Sequence, residues 1–116
     1  MKTYVVLLAA AITGATFPAM AHAFLERASP SAGENLRGSP ARIELHFSEP
    51  LEQAFSGIAV TNMAGADQSG GPATANGTEM DLPLKRLAPG RYRITWHAVS
   101  VDTHRTDGKY NFLVLP

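Results

Sequence analysis

The stretch RYRITWHAV, residues 91–99, decides the fold class because its side chains alternate between apolar and polar. One face of this stretch carries Tyr92, Ile94, Trp96 and Ala98, and the other carries Arg91, Arg93, Thr95 and His97. A period of two residues is typical of a β-strand with one buried face. Shorter strand-like stretches are predicted at 25–28, 42–47, 57–61, 80–84 and 109–115. The sequence therefore predicts an all-β domain.

The connections between these stretches indicate which all-β fold to expect. LAPGRY, residues 87–92, has the pattern of a tyrosine corner, a device of immunoglobulin-like Greek-key sandwiches. Pro83 predicts that the strand over 80–84 lies at a sheet edge, because proline cannot donate to a ladder. Residues 64–78 are predicted to form a loop or weak hairpin, and residues 50–55 one helical turn. We expect an immunoglobulin-like Greek-key β-sandwich or barrel.

The first 21 residues are typical of a cleaved signal peptide. Lys2 precedes an apolar run that ends near Phe17, and Ala19-Met20-Ala21 forms a small-residue cleavage site. The run falls short of the ~20 apolar residues that a membrane-spanning helix needs. We predict export, no stable membrane insertion after cleavage, and one domain over 22–116. Residues 21–23 are a second cleavage match, which would start the chain at Phe24 and discard His22.

Composition excludes several classes of function. Ten basic residues balance ten acidic ones and no basic run occurs, which argues against nucleic acid as a partner. The chain has no cysteine, so thiolate metal sites and thiol catalysis are excluded. We find no serine–histidine–aspartate order, paired carboxylates or phosphate loop, and we predict that the protein is not an enzyme.

Two distant parts of the chain offer metal donors. Cleavage after Ala21 would make His22 the first residue, so its α-amine and imidazole could chelate one ion. Asp102 and His104 lie two residues apart and can converge if the backbone between them is near-extended. Together these four donors suit one tetragonal Cu(II) ion, and the Irving–Williams order favours copper over zinc. The alternative for residues 102–104 is an ordinary polar turn.

An ordered set of motifs resembles the CopC family of periplasmic copper-binding proteins. The resemblance covers essentially the whole chain after residue 21. It rests on ASPSAG (28–33), IELHFSE (43–49), FSG (55–57), LAPGRY (87–92), WHAVSVDTH (96–104) and GKYNF (108–112). Any one of these motifs is weak evidence. The set is specific because it contains the W-x-x-V-S-x-D-x-H pattern.

The resemblance implies a function and a site. It implies that His22, Asp102 and His104 bind Cu(II), with Glu49 near the metal as a hydrogen-bond acceptor. It also implies a carrier that sequesters or delivers copper in the periplasm, beside an inner-membrane transporter of CopD type. Some family members carry a methionine-rich loop for Cu(I), but residues 62–70 hold one methionine and no histidine. We therefore expect a protein that binds Cu(II) only.

Two other functions compete with a copper carrier. A histidine chelate with a second histidine is also the copper arrangement of oxidative polysaccharide monooxygenases, although Asp102 would fill a coordination position and one tryptophan offers no aromatic glycan platform. A metal-free immunoglobulin-like interaction module is the third hypothesis. His46 and His97 lie on the polar faces of their strands. They could serve as auxiliary metal ligands, but we expect them to be exposed histidines without a role.

Overall fold

A computed structural model describes residue 3 and residues 23–116. The predicted signal peptide (its residue 3 aside) and His22 lie outside these residues. The described chain forms eight strands: β1 (Leu25–Ser29), β2 (Asn35–Leu36), β3 (Arg42–Phe47), β4 (Gly57–Asn62), β5 (Thr74–Asn76), β6 (Glu79–Pro83), β7 (Gly90–Val99) and β8 (Arg105–Val114). One 3-10 helix, Gln53–Phe55, confirms the predicted helical turn. Within this part of the chain, no helix has the length and apolar character to cross a membrane.

The strands form two four-stranded sheets. The first sheet has the order β1-β3-β6-β5 and is antiparallel throughout. The second has the order β2-β8-β7-β4, in which only the short β2 runs parallel to its neighbour β8. This arrangement confirms the predicted immunoglobulin-like β-sandwich.

The core lies between the sheets, where the alternating patterns predicted it. The apolar face of β7 is buried, with Ile94 and Ala98 fully enclosed. Trp96 packs edge-on against Phe47 of β3, with ring centroids 5.1 Å apart. Gly108 of β8 makes room for the indole, because a Cβ there would lie 2.6 Å from Trp96 Cζ2. The tryptophan is therefore a core residue that spans the two sheets.

The tyrosine corner is present. The Tyr92 hydroxyl donates a hydrogen bond of 2.5 Å to the carbonyl oxygen of Ala88, and its ring stacks on Phe112. The corner thus fixes the loop that leads from the first sheet into β7.

One prediction about the sheet edges was wrong. The strand that contains Pro83 is an interior strand, because β6 lies between β3 and β5. Proline is tolerated there because β5 is only three residues long and its pairing with β6 ends at Asp81. Gly77, at φ +61°, closes the β5–β6 hairpin. Part of the glycine-rich stretch 64–78 is therefore a short hairpin strand, the second of the two predicted alternatives.

Candidate metal centre

The D-x-H motif lies in a tight turn between β7 and β8. Thr103 N donates to the carbonyl oxygen of Ser100 at 2.8 Å, and Ser100 N donates to that of His104 at 2.9 Å. Thr103 has φ +73°, in the left-handed region that β-branched residues rarely adopt. Convergence of Asp102 and His104 was predicted for a near-extended backbone, whereas residues 100–104 form a turn that reverses the chain from β7 into β8.

The turn nevertheless brings the two predicted ligands together. His104 Nδ1 lies 3.5 Å from Asp102 Oδ2. Since metal–nitrogen and metal–oxygen bonds are each about 2 Å long, one ion can contact both side chains. Their side chains are 53% and 38% exposed, so an ion can reach them from solvent.

Ser100 orients the aspartate. It is fully buried, and its hydroxyl donates a hydrogen bond to Asp102 Oδ1 while lying 3.3 Å from the carbonyl oxygen of His104. This hydrogen bond, reinforced by His104, holds the pKa of Asp102 below its usual range. The aspartate is therefore an anion at neutral pH, as a metal ligand must be.

A second segment runs beside the turn. Val101 N donates to the carbonyl oxygen of Pro50, and Leu51 forms a β-bridge with Ser100. Glu49 immediately precedes this segment and is half-buried. The fold thus places Glu49 next to the stretch that flanks the D-x-H turn.

The first described residues of the domain are anchored beside the same turn. Ala23 is fully buried, and its carbonyl oxygen accepts a 2.8 Å hydrogen bond from the hydroxyl of Thr106. Phe24 exchanges two hydrogen bonds of 2.8 Å with Ser48, one to the side chain and one between backbones. Residues 23 and 24 are therefore held between the end of β3 and the start of β8.

Sequence reasoning found no role for Thr106, and it left Ser100 either as a residue that holds the loop through a backbone hydrogen bond or as a solvated one. Ser100 had a signal, because residues 96, 98 and 100 are in phase and the first two are core residues. A serine at a buried position has to find an internal hydrogen-bond partner. The role of Thr106 had no signal in the sequence, since its hydrogen-bond partner lies 83 residues away.

The two strand histidines lie apart from the turn's hydrogen bonds. His97 of β7 packs over Gly57, where a Cβ would lie 2.8 Å from its Cε1 atom. His46 of β3 lies on the outer face of the other sheet, with Nε2 3.5 Å from Glu79 Oε1. His97 is thus explained by packing, whereas His46 has an acidic neighbour.

Known proteins resemble this chain in both sequence and structure. A family model described as the CopC domain matches residues 25–115. Protein YobA of Escherichia coli strain K12 is 39% identical over 98 residues, which cover 81% of this chain and 79% of that protein. Copper resistance protein C of Pseudomonas syringae pv. tomato is 38% identical over 105 residues, covering 83% and 82%. The crystal structure of CopC from Methylosinus trichosporium OB3b matches with a TM-score of 0.76 at 34% identity, covering 82% of this chain and 95% of that one.

Proposed function

The chain belongs to the CopC family, and from that membership we propose that it is an exported copper-handling protein that binds one Cu(II) ion. The ligands are the α-amine and imidazole of His22 together with Asp102 and His104. The protein sequesters or delivers the ion in the periplasm without changing it chemically. A relative named as a copper resistance protein supports this role.

The hydrogen bond between Thr106 and Ala23 is the observation that carries the proposal. His22 is bonded directly to Ala23, and Ala23 is held on a residue two positions beyond His104. A chain that starts at His22 would therefore begin beside the D-x-H turn. Two donor pairs that are 80 residues apart in sequence would then face one ion.

The buried alanine also supports cleavage after Ala21. Cleavage after Ala23 would remove a fully buried residue and leave the Thr106 hydroxyl without its acceptor. Thr106 is half-buried, and the loss of one such hydrogen bond costs about 0.5–1.5 kcal/mol. Cleavage after Ala21 retains both the packing and the hydrogen bond.

The donor chemistry favours Cu(II). Three nitrogen donors and one carboxylate suit a tetragonal Cu(II) site, whereas Cu(I) prefers sulfur. After residue 22 the chain has two methionines, of which Met80 is fully buried in the core and Met63 is exposed. Glu49 would accept a hydrogen bond at the edge of the site, and the partner would be an inner-membrane transporter of CopD type.

The test uses the protein purified from the periplasm. We expect the intact mass of a chain whose first residue is His22. On Cu(II) titration, we expect one electron paramagnetic resonance signal per chain, with the parameters of a tetragonal, nitrogen-rich site. Asp102→Asn and His104→Asn should each weaken binding by about tenfold or more. His97→Asn is the matched control and should leave the signal unchanged.

Three results would contradict the proposal. An intact mass that corresponds to a chain starting at Phe24 would mean that His22 and its chelate are absent. Unchanged Cu(II) binding in both D-x-H variants would favour a metal-free interaction module. Ascorbate-driven peroxide production by the copper form would favour the oxidative enzyme instead. Fluorescence of Trp96, the single tryptophan of the chain, gives an independent readout of copper binding.

A further inference from the structure

A second group of metal-ligating side chains lies away from the D-x-H turn, on the outer face of the first sheet. Strands β3 and β6 pair so that His46 is opposite Glu79 and Glu44 is opposite Asp81. Because side chains directly opposite each other on one face are close neighbours, this register gathers three carboxylates and one imidazole. We call these four residues the outer-face cluster.

The distances in this cluster fit a metal ion. Ligand atoms of Glu44, His46 and Glu79 all lie within 4.8 Å of one another. His46 Nε2 and Glu79 Oε1 are 3.5 Å apart. Two ligands of a tetrahedral zinc ion, each about 2.0–2.2 Å from the metal, are separated by roughly 3.3–3.6 Å. The strand backbones therefore already hold His46 and Glu79 at a coordinating separation, with Glu44 close enough to join them after a small side-chain movement.

The charge of the cluster also favours a cation. Among the described residues, Arg42 is the one lysine or arginine that forms an ion pair with the cluster, and its partner is Glu44. Glu44 and Asp81 are directly opposed like charges, an arrangement that destabilises a sheet. Arg27, opposite His46 on β1, makes no ion pair within the described part of the chain. Three carboxylates thus face one another with a single neutralising guanidinium.

Asp81 provides a separate observation. Its Oδ1 atom is buried and, within residues 23–116, has no hydrogen-bond partner. Burial, with Glu79 and Glu44 close by, raises the pKa of Asp81 above its usual range. An unsatisfied carboxylate oxygen beside two other carboxylates is a cost that a bound cation would relieve.

From this geometry we propose that Glu44, His46 and Glu79 form a second metal site, separate from the D-x-H turn, which binds Zn(II). The imidazole selects against calcium and magnesium, which prefer oxygen ligands alone. One nitrogen and two carboxylate oxygens suit tetrahedral zinc with an open fourth position better than the nitrogen-rich, tetragonal set that Cu(II) prefers. Two carboxylates balance the charge of the ion, and Asp81, opposite Glu44 in the strand register, is a third carboxylate beside the site.

The experiment isolates this site from the proposed copper centre. The exported full-length chain carrying Asp102→Asn and His104→Asn is titrated with Zn(II) by calorimetry, and with Co(II) as a spectroscopic probe. We expect one Zn(II) per chain and a tetrahedral Co(II) absorption band. Adding His46→Asn or Glu79→Gln should weaken binding by about tenfold or more. Adding Arg42→Gln should strengthen it by up to about fivefold, because Glu44 then loses its competing cation.

The controls separate zinc binding from folding and from copper binding. His97→Asn alters a strand histidine of the other sheet and should leave the Zn(II) affinity unchanged. In the chain with Asp102 and His104 intact, His46→Asn should leave the Cu(II) resonance signal unchanged, so failure of either site is recognised separately. Zinc binding that survives both His46→Asn and Glu79→Gln, or that is lost equally in His97→Asn, would overturn the proposal. Absence of zinc binding in the folded double variant would overturn it as well.

Discussion

The Thr106 hydroxyl donates a 2.8 Å hydrogen bond to the carbonyl oxygen of Ala23, joining residues 83 positions apart. Thr106 is the second residue of β8, the strand that leaves the D-x-H turn. The bond therefore ties the start of the domain to the strand that fixes the orientation of His104. If the first residue of the exported protein supplies copper ligands, this contact determines where they lie.

Replacing Thr106 tests that dependence directly. Thr106→Val keeps the shape of the side chain but leaves the carbonyl of Ala23 without its donor, so we expect the free energy of unfolding to fall by about 1 kcal/mol. Copper affinity should fall by about three- to tenfold, because the N-terminal donors are less well positioned. Urea unfolding and a competitive Cu(II) titration measure the two effects.

Thr95→Val is the matched control for this change. Thr95 is an exposed residue of β7, so its replacement removes a hydroxyl without affecting the hydrogen bond between Thr106 and Ala23. If Thr106→Val loses stability as expected but keeps its copper affinity, the hydrogen bond between Thr106 and Ala23 contributes to folding alone.

Ser100→Ala should weaken copper binding without removing any ligand. The buried hydroxyl orients the carboxylate of Asp102, and the loss of a group that orients a metal ligand typically costs 10- to 100-fold in affinity. We expect a loss near the lower end, since Asp102 and His104 remain paired. Ser31→Ala is the control, because Ser31 makes a similar contact with Glu34 on an exposed loop. Equal affinities in the two variants would contradict this account.

Thr103 adopts a backbone conformation that a β-branched residue rarely occupies. Asparagine tolerates the left-handed region better, so Thr103→Asn should raise the free energy of unfolding by about 0.5–1 kcal/mol. Thr103→Val keeps the branch at Cβ and should not stabilise. Urea denaturation of both variants measures the difference, and equal stabilities would show that the turn carries no strain at this residue.

The fold could be predicted because its signals are local. The alternation of Tyr92, Ile94 and Trp96 identifies β7 from the residues themselves, and LAPGRY indicates the tyrosine corner. The interior position of β6 could not be predicted from Pro83, because it depends on how short a neighbouring strand becomes. Sheet order is a property of pairing between distant segments, which no single segment encodes.

The candidate metal centre was only partly predictable for the same reason. Asp102 and His104 are close in sequence, so their meeting could be inferred, although it was predicted for a near-extended backbone and occurs in a turn. The outer-face cluster gave no signal, since Glu44 and His46 lie on β3 while Glu79 lies 33 residues further along. Only the register of β3 against β6 brings them together.

Cu(I) should bind weakly. Soft Cu(I) needs several sulfur donors, and the core position of Met80 leaves Met63 as the one exposed methionine among residues 23–116. Competition with a Cu(I)-specific chelator should show an affinity well below that of a methionine-rich family member measured alongside. Met63→Leu should change the Cu(I) affinity little, and a comparable affinity in the two proteins would contradict the prediction of a Cu(II)-only carrier.

The stability of the sandwich should depend on Tyr110 at alkaline pH. Its hydroxyl donates a 2.7 Å hydrogen bond to the carbonyl oxygen of Pro30, and burial, with Glu34 nearby, raises the pKa of Tyr110 above its usual value of about 10. The folded state therefore keeps this proton at a pH where the unfolded chain releases it. Stability from Tyr110 is fully present below about pH 10 and is lost progressively as the pH rises above that value.

Tyr110→Phe isolates this contribution because the other titrating groups are common to both proteins. Below pH 9 the wild-type protein should be more stable by about 1 kcal/mol, the usual worth of one hydrogen bond. Between pH 10 and about 11.5 this advantage should shrink and then reverse, since phenylalanine has no proton to lose. Urea unfolding of both proteins at half-unit steps from pH 8 measures the difference. A constant difference across that range would mean that the Tyr110 hydroxyl ionises as readily in the folded protein as in the unfolded chain.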